Sequence, residues 1–147
     1  MGKLYNLKPA VAASLASWHH MAASKDMSAL HSIVHPQAEF RSPMANSPYK
    51  SAEAVVLVLD TVVKVFENFT YHRELSSDDG LNVMLEFSAN VGDKQLKGVD
   101  LIRFDEQGKI TEFEVMIRPL SGLQALGQEM GKRLGQQLPA YKAGKAE

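Results

Sequence analysis

The residue in this chain best suited to acid–base chemistry is Asp100. It lies in Gly98-Val99-Asp100-Leu101-Ile102-Arg103-Phe104, with apolar residues on both sides. Asp is unfavourable in strands and costly to bury. Strand alternation puts Gly98, Asp100, Ile102 and Phe104 on one face, and Val99, Leu101 and Arg103 on the other. If the Ile102 and Phe104 face is the interior, Asp100 points into it. A buried carboxyl either finds a cationic partner or keeps its proton with a raised pKa. Both states suit an acid, a base or a hydrogen-bond donor. The competing reading is a surface salt bridge to Arg118, Arg103 or Arg41.

Histidine is the usual partner for such a carboxyl at neutral pH. His72 sits in Phe69-Thr70-Tyr71-His72-Arg73-Glu74. If Tyr71 packs one way along a strand, His72 faces the other. His72 is therefore a candidate base, or else a strand histidine bonded to solvent or a second subunit. His19 and His20 adjoin Trp18, and one of them is expected at the rim of a pocket. His31 and His35 have helical i, i+4 spacing, but Pro36 pushes His35 out of a helix and no acidic third ligand lies nearby. No metal and no cofactor is expected. The chain has no Gly-x-Ser-x-Gly elbow, phosphate loop or dinucleotide fingerprint, which argues against serine hydrolases, ATPases and nicotinamide enzymes.

The elements that must position these residues follow from periodicity and turn chemistry. Pro9 opens an alanine-rich helix with Val11, Leu15, Trp18 and Ala22 on one face. Asp26 is read as the cap of a short helix over Met27–Val34, ended by Pro36. Residues 38–43 read as a brief strand and Met44–Lys50 as a loop. Ser51 is the N-cap of a helix over Ala52–Phe66. Four strand-like runs then follow, FTYHREL, LNVMLEFSANV, QLKGVDLIRF and ITEFEVMIR. Tight-turn sequences separate them, so they form an antiparallel meander. A last helix runs from Leu120 to about Leu138, with Leu123, Leu126, Met130 and Leu134 as its stripe. Its Gly127, Gly131 and Gly135 recur every fourth residue.

Helices followed by consecutive strands argue for an α+β domain with helices against one face of the sheet. A single domain over 1–138 and a flexible tail over 139–147 are expected. The 147 residues are 45% hydrophobic and 22% charged, as in globular proteins. A formal net charge of −1 provides no field for nucleic acid or anionic membrane. The longest apolar stretch, Ala52 to Phe66, is broken by Glu53, Asp60 and Lys64, so no membrane span is expected. There are no cysteines, hence no disulfides. With no signal-peptide core before Trp18, the expected location is cytoplasmic.

The segment VDLIRFDEQGKITEFEVMIRPL resembles the last hairpin of SnoaL-like proteins of the nuclear-transport-factor-2-like superfamily. Trp18, followed eight residues later by Asp26, resembles that family's first-helix pattern. The resemblance covers residues 8 to 125. It implies a cone-shaped, curved, mostly antiparallel sheet wrapped around N-terminal helices, a cystatin-like arrangement with an interior pocket. The superfamily includes ketosteroid isomerases, polyketide cyclases and limonene epoxide hydrolases. Asp100 falls where ketosteroid isomerases keep a protonated aspartic acid. Trp18 falls where they keep a tyrosine donor, and Ser42-Pro43 where they keep a catalytic aspartate followed by proline. In SnoaL-type cyclases an aspartate on this strand is the acid/base.

The resemblance thus implies a small apolar, ring-containing ligand and an isomerase, cyclase or hydrolase using Asp100; Trp18 would orient the ligand, and the residues themselves offer His72 or His19 to assist. The expected lining is Trp18, His19, Phe40 and Ser42, with Leu85, Phe87, Ile102, Phe113, Val115 and Ile117 from the sheet. A homodimer through the outer sheet face is also implied. The alternative is a binding or dimerisation module without catalysis.

Overall fold

The computed structural model describes residues 6–135. Helix α1 spans Pro9–Ser24 and starts on proline, whose fixed φ suits a first helical turn. Lys25, at φ 61°, ends it in the left-handed region. The chain then departs from the helix expected over Met27–Val34. Asp26 does accept a bond from the Ser28 N–H at 3.0 Å, but this caps only a turn. A short 3-10 turn, Leu30–Ile33, follows, and strand β1 already begins at Val34 and runs to Arg41. Pro36 therefore lies inside a strand. It is tolerated because β1 is an edge strand and its register shifts between Val34 and Glu39, where a missing N–H breaks no ladder.

Helix α2, Ala52–Val65, is capped as read from sequence: Ser51 Oγ accepts from the Ala54 N–H at 3.1 Å. Strands β2 (Glu67–Ser76), β3 (Asn82–Val91), β4 (Lys94–Phe104) and β5 (Ile110–Arg118) form the antiparallel meander. β1 adds to β5 in parallel, so the sheet is mixed, with order β1-β5-β4-β3-β2. Gly92 sits at φ +60° in the two-residue turn closed by the Val91–Lys94 pair, a conformation that favours glycine. Helix α3, Leu120–Leu134, returns across the sheet. The rest of the helix expected to Leu138, and the expected tail, lie outside the described residues.

All three helices cover one face. The inward positions of β3 and β4 alternate as expected: Val83, Leu85, Phe87, Ala89 and Val91 on one, Leu96, Gly98, Asp100, Ile102 and Phe104 on the other, all buried. Phe40, Phe87, Phe104 and Phe113 are among the largest fully enclosed side chains. Truncating one such residue to alanine costs about 3–5 kcal/mol. On α3, Leu126, Met130 and Leu134 are buried. Of the glycine stripe, Gly127 is explained by Met44, whose side chain occupies the place of a Cβ. Gly122, five residues earlier, lies against Leu96 and the Gln95 carbonyl. No helix of the described residues is long and apolar enough to cross a membrane.

Candidate functional site

β4 carries Asp100 to the middle of the inward face, paired with Leu85 on one side and Val115 on the other. The residue is only 5% exposed. Its partner is not one of the arginines considered from sequence. Arg41 is bonded to Glu112, Arg103 to Asn82 on the opposite face, and Arg118 makes no ion pair among the described residues. Instead the Tyr71 hydroxyl donates to Asp100 Oδ2 at 2.7 Å. The Trp18 indole N–H in turn donates to the Tyr71 oxygen at 2.9 Å. The bond from Tyr71 is the only hydrogen bond to the Asp100 carboxyl among the described residues.

Tyr71 reaches this position because β2 is bulged twice. Between Glu67–Asn90 and Thr70–Ser88, and again between Tyr71–Phe87 and Glu74–Leu85, two residues of β2 face one of β3. The first bulge, with Asn68 at φ 54°, sends Phe69 and Tyr71 inward. The second leaves both His72 and Arg73 outward and returns Glu74 to the inner side. There Glu74 Oε1 meets His19 Nε2 at 3.0 Å, while the His19 ring sets its edge against Tyr71 with centroids 5.1 Å apart. Outside, Arg73 grips Glu86 with Nε and Nη2, each at 2.9 Å, and holds that carboxyl down at about 2.

Around Asp100 the surroundings are apolar. A cavity opens beside it, lined by Trp18 and Ala22 of α1 and by Phe40 and Pro43. Val58, Leu59, Val62, Val63 and Phe66 of α2 form a second wall, and Leu126 and Met130 of α3 a third. The sheet supplies Phe69, Tyr71, Phe113, Val115 and Ile117. The space between atoms is about 550 Å³ with its mouth, but the centre of a water-sized group has only about 40 Å³ in which to move. Burial without a cation pushes the Asp100 carboxyl up to about 7, against a smaller opposing pull from the Tyr71 hydrogen bond. The Tyr71 phenol is raised well above its ordinary value, chiefly by burial and then by the Asp100 charge.

Of the side chains expected at a pocket, the structure brings together Asp100, Trp18, Phe40, Phe113, Val115 and Ile117. Leu85, Phe87 and Ile102 are buried on the inner face but pack as core away from the cavity wall. Ser42 is buried, yet its Oγ turns back to accept from the Met44 N–H at 2.9 Å, and Pro43 takes its place at the wall. His19 stands behind Tyr71 and does not reach the cavity lining. His72, a candidate base from its sequence, does not face the cavity. It lies exposed on the outer face, 2.8 Å from Ser88 Oγ, because Tyr71 occupies the inward direction. Sequence reasoning missed Tyr71 and the α2 wall. Phe69 and Tyr71, two aromatics two residues apart, were the available signal for an inward-facing pair.

The comparisons with known proteins agree with this architecture. Residues 15–113 match the SnoaL-like domain. A crystal structure of a steroid delta-isomerase from Pseudomonas aeruginosa is 56% identical, with a TM-score of 0.86 over 90% of this chain and 97% of that one. An uncharacterised protein with a cystatin-like fold from Silicibacter pomeroyi is 30% identical, with a TM-score of 0.80 over 90% of each chain. SalBIII, an epoxide hydrolase/cyclase-like enzyme of pyran ring formation in salinomycin, shares the fold at 15% identity and a TM-score of 0.61, over 75% of this chain and 91% of that one. No curated protein matches the chain. The matched domain, the mixed five-stranded sheet and the helices on its inner face place this chain in the SnoaL-like family, on the nuclear-transport-factor-2-like fold.

Proposed function

We propose that the chain binds a small, apolar, ring-containing molecule beside Asp100 and moves a proton on it, as an isomerase or cyclase does. The observation that carries this reading is the Asp100 carboxyl itself: buried in an apolar wall, bonded only to Tyr71, and raised to about 7. At neutral pH such a group exists in both protonation states, which general acid–base catalysis requires. The 56% identity to a protein described as a steroid delta-isomerase supports a ring-bearing ligand.

Asp100 is the only carboxyl among the lining residues, and Tyr71 the only other titratable group there. Proton transfer is therefore assigned to Asp100 alone. Its ionised form takes a proton from a carbon or hydroxyl of the ligand, and the resulting acid returns that proton to another ligand atom. Tyr71 and Trp18 hold the carboxyl in place. The narrow free space favours a compact ligand, since one water position needs about 10–15 Å³ on the same measure.

The test is turnover of small cyclic ketones and enones by the wild type and by Asp100→Asn. Activity that rises with pH through about 7 and is lost in the Asn variant is expected. An Asn variant with full activity rejects the catalytic role. Thermal stabilisation by the same compounds without any product, in wild type, would leave binding alone as the function.

A further inference from the structure

The Asp100 carboxyl is buried with no cation beside it. No lysine, arginine or histidine is among the residues that line its cavity. The titratable groups facing this space are Asp100 itself and Tyr71 of β2; the other elements around it present no charged side chain. His19 and Glu74 stand behind Tyr71 and pair with each other at 3.0 Å. Oδ2 of Asp100 receives the Tyr71 hydroxyl, whereas Oδ1 has no hydrogen-bond partner among the described residues. Yet no fully enclosed side-chain oxygen or nitrogen among them lacks a partner. Oδ1 therefore looks onto free space, which is the cavity.

Six of the lining side chains are aromatic, in two groups. Trp18 and Phe113 meet with centroids 5.2 Å apart and planes at 62°, and Phe113 continues to Phe40 at 6.2 Å. In the second group Phe66 stacks on Phe69 at 5.5 Å, and Phe69 meets Tyr71 at 4.8 Å and 86°. These tilts turn ring faces in several directions. A ring face is the negative part of its quadrupole and attracts a cation within about 6 Å of its centre. Each such contact is worth about 0.5–2 kcal/mol, most where water is excluded.

We propose that the cavity takes a second class of ligand, a small cyclic amine held as its cation, with an N–H donating to Asp100 Oδ1 and the ring carbons against the aromatic walls. Taking a carboxylate and an ammonium out of water costs several kcal/mol for each. The fold has already desolvated the carboxyl, so only the amine's part falls on binding. The ring faces and the ion pair, strengthened by the low dielectric, offset it. A neutral ketone gains neither. The narrow free space limits the ligand to a small ring. This inference rests on the cavity being a ligand site, as proposed above, and not on proton transfer.

Fluorescence of Trp18, the only tryptophan of the chain and part of the cavity wall, follows binding. The probes are N-methylpyrrolidine and the neutral cyclopentanone. An alkylamine stays charged below about pH 10, as lysine does. With Asp100 ionising at about 7, the amine should bind about thirtyfold more weakly at pH 5.5 than at pH 8.5, a factor of ten for each unit below 7. Cyclopentanone shows no such gain. Asp100→Asn abolishes amine binding and keeps cyclopentanone, so the cavity is intact. Phe69→Leu weakens the amine several-fold more than the ketone. Glu74→Gln leaves the pH dependence in place. Cyclopentanone binding without the amine, an amine affinity flat in pH, or full amine binding by Asp100→Asn overturns the amine and leaves the cavity as a ligand site. Loss of the pH dependence in Glu74→Gln assigns the charge to Glu74 and overturns it equally. Failure of both probes to bind overturns the amine and the cavity's role as a ligand site together.

Discussion

Replacing Asp100 by Asn tests the electrostatics of the cavity without needing a ligand. The carboxyl ionises at 3.8 in the ordinary case and at about 7 here. Below pH 4 it is protonated folded and unfolded, and it has no effect on the pH dependence. Between pH 4 and 7 the unfolded chain releases the proton while the folded chain keeps it, so the unfolded state binds fewer protons and stability falls as pH rises. Above about 7 both forms are ionised and the loss is complete. Three units at 1.36 kcal/mol each make this about 4 kcal/mol. That is a large share of the roughly 5–15 kcal/mol that holds a domain folded. Asn keeps the shape and an acceptor for Tyr71 but cannot ionise. Urea unfolding followed by Trp18 fluorescence, in both proteins from pH 4.5 to 8.5, gives the difference in stability at each pH. Subtracting one protein from the other cancels every other titrating group. The Asn variant should gain on the wild type steadily up to pH 7 and be several kcal/mol more stable at pH 8. A difference that stays constant from pH 5 to 8 would refute the assignment of a buried, unpaired carboxyl.

Tyr71→Phe deletes the one hydrogen bond that favours the charged form of Asp100, so the midpoint of the same pH dependence should move above its wild-type position; an unchanged or lower midpoint contradicts the bond. Glu86 is held near 2 by Arg73, so its contribution to stability is present above its ordinary 4.5 and is lost as pH falls through about 2. Glu86→Gln should accordingly lower stability at pH 7 and flatten the acid limb of the unfolding profile. At Gly98 an added Cβ would lie 2.5 Å from the Met116 carbonyl oxygen and 2.7 Å from Phe87 Cζ. Gly98→Ala should cost about 1–3 kcal/mol in chemical denaturation, as other overpacked cores do.

The parts of this fold that are legible in the sequence are those where one periodicity runs unbroken. β4 alternates without interruption from Leu96 to Phe104, and that alone directs Asp100 inward. Ser51 and Pro9 mark their helix starts by side-chain chemistry that operates within one turn. β2 is different. Its second bulge falls at His72-Arg73, where no glycine or proline marks it, so alternation could oppose Tyr71 to His72 but could not say which faced the core. The direction is decided by partners 53 and 29 residues away in the chain, Trp18 and Asp100. The stretch before β1 misleads for a related reason. Asp26 and Pro36 are helix punctuation, but Asp26 serves a turn and Pro36 an edge strand, and only the pairing with β5 makes that choice.

The bonding order at Trp18, Tyr71 and Asp100 has a consequence for what the cavity admits. An indole N–H can donate and never accept, so the Tyr71 hydroxyl accepts from Trp18 and commits its hydrogen to Asp100. The polarity of the chain runs one way and ends at the carboxyl. Below about pH 7 the Asp100 proton resides on the oxygen that Tyr71 does not use, where it would be a donor to a carbonyl or ether of the ligand proposed above. Above it, the carboxyl offers only lone pairs, which would suit an alcohol or an amine of that ligand. On the proposed function, the protonation of Asp100 would make ligand choice a function of acidity, with no side chain having to move.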